Sequence, residues 1–208
     1  MLYYVARFIM RMVLAVLRRW EVIGLQNAPQ KDGFIIVSNH TSYWDPVAVG
    51  CAFNKPVHYM AKAELFKIPI FTSLIKGLKS FPVNRKKMDR SAIRYAIELL
   101  NDGQALGIFP EGTRSATGEL QKAELGTAML AFKSGVPVVP VGIHGAKGML
   151  GKLKLVVGKP IPLPELKGAK PSRQDLEEYS KKIMNEISNL MKTVKTSQAN
   201  NKEQVACK

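Results

Sequence analysis

Asn39-His40-Thr41-Ser42-Tyr43-Trp44-Asp45 places an imidazole and a carboxylate close in the chain, with four residues between them. An imidazole can take a proton near neutral pH. A carboxylate beside it can hold one ring N–H and leave the other nitrogen free as a base. Some seventy residues further on, Phe109-Pro110-Glu111-Gly112-Thr113-Arg114-Ser115 offers a different chemistry. Gly112 permits a positive φ or a close backbone approach. Thr113 brings a hydroxyl, and Arg114 a fork of N–H donors that matches a phosphate. A base and an anion clamp together describe deprotonation of a hydroxyl on a phosphorylated substrate. Phe81-Pro82-Val83-Asn84-Arg85-Lys86-Lys87 adds a local basic cluster after a hydrophobic segment.

Each of these residues also has a plainer use. Asp45 could cap a helix that opens at Pro46. Ser42 could be the cap instead, with Asp45 as its capping-box partner. His40 could be a hydrogen-bonded structural histidine, and Glu111–Arg114 a strand-end turn with a surface arginine. A run such as Arg85–Lys87 is usually a solvated face. His58 and His144 lie in or beside apolar, strand-like runs and read as structural. Absent motifs narrow the chemistry. There is no GxxxxGK[ST], GxGxxG or GxSxG, and His and Cys are too sparse for a zinc cluster. The base therefore acts on the substrate hydroxyl directly, with no enzyme nucleophile.

Five helical steps would separate His40 and Asp45 by roughly 140°, so the pair meets only if the chain turns between them. The pattern predicts that turn: a strand over Phe34–Val37 that ends at the His40 segment, then a short apolar helix over Pro46–Phe53. Val57–Met60 reads as a strand and Ile68–Leu78 as a short helix. Asp89–Asn101 reads as a helix capped by Asp89 and closed by Gly103. Ala105–Phe109 is a buried strand that delivers the Glu111 turn. Lys122–Lys133 reads as a helix ending at Gly135. Val136–Ile143 is a strand whose Pro137 and Pro140 disfavour a regular central position. Leu153–Val157 is a further strand, and Lys159–Pro164 a rigid connector. Ser172–Val194 is a helix with a Ser172/Asp175 capping box, and Thr196–Lys208 a frayed polar tail. Glu21–Gly33 reads as a connection. Alternating strands and helices predict an α/β fold, a layered sheet flanked by helices. The division is an N-terminal helix over 1–20, one domain over 21–195 and a tail over 196–208.

The balance of 31 Lys+Arg against 16 Asp+Glu, a net charge of +15, points to anionic partners. Cys51 and Cys207 fit a reducing compartment and exclude a disulfide framework. Leu2–Trp20 is strongly apolar, yet Arg7, Arg11 and Arg18 fall on one stripe at helical spacing. The charge-free run Met12–Leu17 is far below the ~20 residues of a spanning helix. A narrow basic stripe with Tyr3, Tyr4 and Trp20 suits the lipid–water interface, with the arginines toward anionic headgroups. The alternative is a helix docked on its own domain.

His40–Asp45, Phe81–Arg85, the whole of Phe109–Ser115 and the Pro-containing strand Val136–Ile143, in this order, resemble the glycerolipid acyltransferase family. Within it they resemble the 1-acylglycerol-3-phosphate (lysophosphatidate) acyltransferases. HxxxxD alone is weak; FPEGTRS in register behind it is very specific. The resemblance implies transfer of an acyl chain from coenzyme A or acyl carrier protein to the 2-hydroxyl of lysophosphatidate. The product is phosphatidic acid, and no cofactor or metal takes part. It makes His40 the base and Asp45 its orienter. Arg85 and Arg114 hold the acceptor phosphate, and Glu111, Gly112 and Thr113 shape its pocket. With the N-terminal helix it implies a monotopic protein on the cytoplasmic face of the cell membrane, with no nucleic-acid partner. One rival keeps the chemistry and changes the acceptor to glycerol-3-phosphate or another lysolipid. Another is a non-enzymatic basic binder of lipid surfaces or nucleic acid, which leaves the HxxxxD and FPEGTRS pairing unexplained.

Overall fold

Phe34–Ser38 forms strand β2, and every residue of it is buried. Its alternate side chains enter two different cores. Phe34 and Ile36 join one, Ile35 and Val37 the other. A strand apolar on both faces needs a cover on each, and the rest of the chain supplies it. The computed structural model describes residues 1–84, 89–166 and 170–206, with side chains of the last helix described to Thr193.

The other strands are β1 (Glu21–Ile23), β3 (Val57–Lys62), β4 (Ser80–Val83), β5 (Ala105–Ile108), β6 (Val138–His144) and β7 (Lys154–Val157). They make one seven-stranded sheet in the order β1-β7-β6-β2-β5-β3-β4. All pairings are parallel except β6 with β7. Helices α1 (Leu2–Arg18) and α2 (Trp44–Ala52) pack on the Phe34/Ile36 face. Helices α4 (Arg90–Asn101), α5 (Gly126–Ser134) and α6 (Arg173–Ala206) cover the Ile35/Val37 face. A further helix, α3 (Pro69–Gly77), lies between β3 and β4. The expected α/β layering is therefore the fold.

The connections after β2 and β5 leave these adjacent strands on opposite faces, β2 through α2 and β5 through α5. Such a reversal opens a crevice at the carboxyl ends of the two strands, where open α/β sheets bind ligands. The His40 and Glu111 segments are the first residues after those two ends.

Local chemistry accounts for the elements. Asp89 caps α4 by accepting the Ala92 N–H at 3.1 Å, and Ala92, Ala96 and Leu100 form its buried stripe. In α6 the capping box forms as read. The Ser172 N–H donates to Asp175 at 2.7 Å, and the Asp175 N–H donates to the Ser172 hydroxyl at 3.1 Å.

Several expectations change. Pro140 lies in β6, an interior strand. Its carbonyl accepts from the Gly158 N–H at 2.8 Å, on the side where pairing with β7 has already ended, so its missing N–H faces no strand partner there. Glu21–Ile23, read as connection, pairs with β7 as an edge strand. Ser80–Val83 pairs with β3 as the other edge, which tolerates Pro82. α5 begins at Gly126 rather than Lys122. α6 runs on past Val194 to Ala206.

The largest correction concerns α1. Its arginine stripe faces inward. Arg7 donates to the carbonyls of Phe53 at 3.1 Å and Asn54 at 2.8 Å, and Arg11 to that of Cys51 at 2.8 Å. These carbonyls close the C-terminal end of α2, where helical partners run out and cations are favoured. Arg18 donates to the carbonyls of Gly145, Gly148 and Gly151. Leu14 is fully buried in the core. The helix is thus docked on its domain. At the same time Tyr4, Val5, Phe8, Ile9, Met12, Val16 and Leu17 are exposed, and so are Ile70, Phe71 and Leu74 of α3. The two apolar faces adjoin where Leu2 packs against Gly77, a position at which an added Cβ would meet the Leu2 side chain at 2.4 Å. Among the described residues no helix is long and apolar enough to cross a membrane.

Candidate active site

At the end of β2, buried Asn39 takes over the pairing that the strand leaves off. Its side chain donates to the Ile143 carbonyl at 3.0 Å and accepts the Ile143 N–H at 2.8 Å. The chain is thereby pinned to β6 one residue before His40, and can turn there without orphaned backbone groups.

The turn brings His40 and Asp45 together, with Nδ1 and Oδ2 2.9 Å apart. Asp45 is the second residue of α2 and has no solvent exposure. The same Oδ2 accepts the N–H groups of Thr41 at 2.6 Å and Ser42 at 2.7 Å. Ser42 in turn accepts the Trp44 N–H at 3.2 Å. Asp45 is therefore not the N-cap, since α2 starts at Trp44, one residue before it; of the Ser42/Asp45 box only the bond from the Ser42 N–H to Asp45 forms. One oxygen organises the turn and also holds the imidazole. With a carboxylate on Nδ1, the neutral ring carries its proton there, and Nε2 is the basic nitrogen.

The second segment is locked to the first. Glu111 is buried, with one carboxylate oxygen accepting the His40 N–H and the other the Gln121 N–H, each at 2.9 Å. The His40 carbonyl accepts the Ser115 N–H at 2.7 Å. Glu111 thus shapes the site by clamping two loops, with both oxygens committed to backbone donors. Gly112 makes the turn between, at φ 69°. The Phe109 ring stacks on the His40 ring at 3.9 Å between centroids, and Tyr59 lies beyond it at 6.3 Å. Tyr59 is anchored to α2 through its hydroxyl, which donates to the Pro46 carbonyl at 3.0 Å. Its burial raises its pKa well above the usual tyrosine range, so it stays a neutral donor. Gly107 of β5 makes room for that ring, since a Cβ there would lie 2.3 Å from it.

Arg114 is exposed on the rim. Its guanidinium donates to the Tyr43 hydroxyl at 2.9 Å and lies 3.7 Å from the Tyr43 ring centroid. Thr113 beside it is also exposed. An Arg held on an aromatic face is oriented yet solvent-accessible, which suits capture of a phosphate. Arg85 lies outside the described residues; β4, the strand before it, runs parallel to β3 and β5 and ends at the same, carboxyl end of the sheet. His58 is buried near the start of β3, away from that end. Its pKa is lowered, chiefly by desolvation and then by Lys79, as expected of a structural histidine.

Sequence reasoning named His40, Asp45, Glu111, Gly112, Thr113 and Arg114, and the structure gathers them at one crevice. It missed Asn39, Tyr43 and Tyr59 as positioning groups. Asn39 carried a signal: a polar residue ending an apolar strand and directly preceding the histidine.

A family model described as Acyltransferase matches residues 19–144. The 1-acyl-sn-glycerol-3-phosphate acyltransferase of Bacillus subtilis is 32% identical over 158 residues, covering 73% of this chain and 78% of that protein. The enzyme of the same name from Streptococcus pneumoniae is 30% identical over 191 residues, covering 85% and 70%. The crystal structure of the 1-acyl-sn-glycerophosphate acyltransferase PlsC from Thermotoga maritima superposes with a TM-score of 0.71. It is 30% identical in sequence and covers 95% of this chain and 80% of that one.

Proposed function

This chain belongs to the acyltransferase family, and we propose that it moves an acyl chain from a thioester donor to the 2-hydroxyl of 1-acylglycerol-3-phosphate. The observation that carries the reading is the His40–Asp45 contact together with a solvent-facing Arg114 held on Tyr43 of the same turn. Nε2 of His40 takes the proton of the acceptor hydroxyl as its oxygen attacks the thioester carbonyl. The negative Asp45 stabilises the imidazolium that forms. The carbon–sulfur bond then breaks and His40 returns the proton to the sulfur. A thiol pKa of roughly 8.5 makes the thiolate a fair leaving group without strong acid assistance. Arg114, with Arg85 as a second proposed partner, holds the acceptor phosphate and so fixes which hydroxyl meets the base. Acyl-coenzyme A and acyl carrier protein are both donors of the required chemistry. A lysolipid is favoured over glycerol-3-phosphate by the exposed apolar faces of α1 and α3, which suit an enzyme working where its acceptor is dissolved in lipid.

Purified protein given lysophosphatidate, glycerol-3-phosphate and other lysolipids in competition, with both donors in parallel, is expected to acylate lysophosphatidate. Acylation of glycerol-3-phosphate alone would overturn the acceptor. In the same assay Arg114→Ala is expected to lose a charge-assisted contact of roughly 1.5–3 kcal/mol. That is about ten- to a hundredfold in kcat/KM for acceptor, with donor KM little changed. An unaltered acceptor dependence would remove Arg114 from the phosphate site.

The same reading places the protein on the cytoplasmic face of the membrane, attached through the apolar face of α1 and not spanning. Because the arginines of α1 are engaged with carbonyls, attachment rests on Phe8, Ile9, Met12 and Val16. Phe8→Glu with Ile9→Glu is expected to weaken vesicle binding by on the order of tenfold or more per residue, since a buried large side chain is worth roughly 1.5–3 kcal/mol. Thermal stability and turnover of a short-chain, soluble acceptor should hold. Vesicle sedimentation checks this, and unchanged binding would exclude that face. Deleting Met1–Arg19 is a different experiment. It strips Leu14 from the core and Arg18 from its carbonyls, so activity on both acceptors should fall.

A further inference from the structure

We propose that the cleft between the start of α1 and the end of α3 is a second phosphate site, separate from the acceptor site, which takes the headgroup of an anionic phospholipid in the membrane. The inference rests on the reading of α1 as the attaching helix.

The cleft holds about 560 Å³, and its lining includes Lys55, Lys76, Lys79 and Gln104 but no carboxylate. The parallel strands fix its place. Lys55 precedes β3, Lys79 precedes β4 and Gln104 precedes β5, so the cleft opens at the amino end of the sheet. His40 and Glu111 follow the carboxyl ends of β2 and β5, at the opposite end.

The three lysines are used unequally. Lys55 is half-buried and spends its three N–H donors on backbone carbonyls, that of Lys31 at 2.7 Å and those of Asp32 and Gly103 at 2.9 Å. It is a fixed charge on the wall. Lys76 and Lys79 are exposed, and their ammonium groups make no hydrogen bond or ion pair among the described residues. Lys79 stands at φ 65°, directly after the residue that closes α3, where glycine or asparagine fits more easily. Asp32 and Asp102, on the adjoining turns, offer backbone carbonyls to Lys55 and Gln104, and neither carboxylate pairs with a lysine among the described residues. Two unspent cations beside a fixed third repel one another until an anion joins them.

The rim selects a lipid over a free anion. Leu2 and Tyr4 line the cleft and belong to the exposed apolar face of α1, while α3 exposes Ile70, Phe71 and Leu74. Apolar groups that enter the acyl region leave the lysines at headgroup level, where an anionic surface attracts them. The 17 residues of α1 span roughly 25 Å. They run from this cleft to Arg18, which binds the loop following β6 at the carboxyl end of the sheet. A headgroup held at the start of α1 thus sets the direction of the helix on the membrane, and with it the facing of the crevice at the other end.

The test is sedimentation with vesicles of phosphatidylcholine alone and of phosphatidylcholine mixed equally with phosphatidylglycerol. The variant is Lys76→Gln with Lys79→Asn, since asparagine accepts the positive φ. The wild type is expected to prefer the anionic vesicles, and the variant to lose roughly fivefold of that preference per lysine. Binding to neutral vesicles, the thermal melt and turnover of a soluble acceptor should be unchanged. Lys181→Gln with Lys182→Gln, on exposed positions of α6 over the other face of the sheet, should cost less than about twofold. A preference retained by the cleft variant, or lost equally by the α6 variant, would overturn the proposal. If the wild type lacks the preference but is stabilised by inorganic phosphate through these lysines, the cleft takes a free anion and the lipid partner is refuted. Should the double variant not fold, Lys76→Gln alone carries the test, with a loss of roughly fivefold expected. A wild type that binds neither vesicle refutes the attachment reading itself; one that binds both equally refutes only the headgroup site.

Discussion

His40→Ala is expected to lower turnover by on the order of 10²–10⁴ while leaving the fold intact, the usual contribution of a positioned general base. The structure explains why the chain should survive the change. The backbone N–H of His40 is held by Glu111 and its carbonyl by Ser115, and neither contact involves the ring. Asp45 keeps the Thr41 and Ser42 N–H groups on its Oδ2, so no buried carboxylate is orphaned. What disappears is the stacking partner of Phe109 and the basic Nε2. Single-turnover acylation alongside a thermal melt checks both halves. Near-normal turnover in a folded His40→Ala protein would sink the mechanism.

Asp45→Asn should be damaging but milder, by about 10–10³ in kcat. Replacing a carboxylate by an amide often presents the wrong imidazole tautomer. Here the geometry resists that outcome. All three donors converge on one oxygen, so an asparagine keeps the backbone bonds only by placing its carbonyl where Oδ2 stood. Turning the amide over would set its NH₂ against the N–H groups of Thr41 and Ser42. The Nδ1–H tautomer should therefore persist. The loss is then that of one negative charge beside the imidazolium, roughly one to three pKa units of stabilisation. A loss as large as that of His40→Ala would show that the amide had turned over.

The His40–Asp45 contact and the Glu111–Arg114 turn beside it were legible because each is a local run of residues, and short spacing constrains geometry strongly. The groups that hold them were less so. Tyr59 reaches the site through a stack on Phe109 and needs Gly107 on the neighbouring strand, a relation visible only once β3 pairs with β5. The arginine stripe of α1 shows the same limit. Spacing put Arg7, Arg11 and Arg18 on one face, but not which way that face turns. In an amphipathic helix the polar face ordinarily meets water. Here the carbonyls at the end of α2 and in the loop before β7 are the better partners. The interior position of Pro140 was likewise decided by where β7 stops, which depends on a pairing between distant segments.

The strand order has a consequence for synthesis. β2 is apolar on both faces, and both of its sheet neighbours, β5 and β6, lie later in the chain. At roughly 5–20 residues per second, the hundred or so residues from Ser38 to Ile143 take about 5–20 s to appear. A sticky strand waits without either partner until β5 appears about two thirds of the way through, and without its second partner to the end of that interval. The edge strand β1 waits longer still, for β7. A nascent chain of this kind has no working crevice until β5 slots between β2 and β3. Its early life is a matter of protection from aggregation, with hydrophobic segments that a holdase or a nearby lipid surface could shield before the sheet closes.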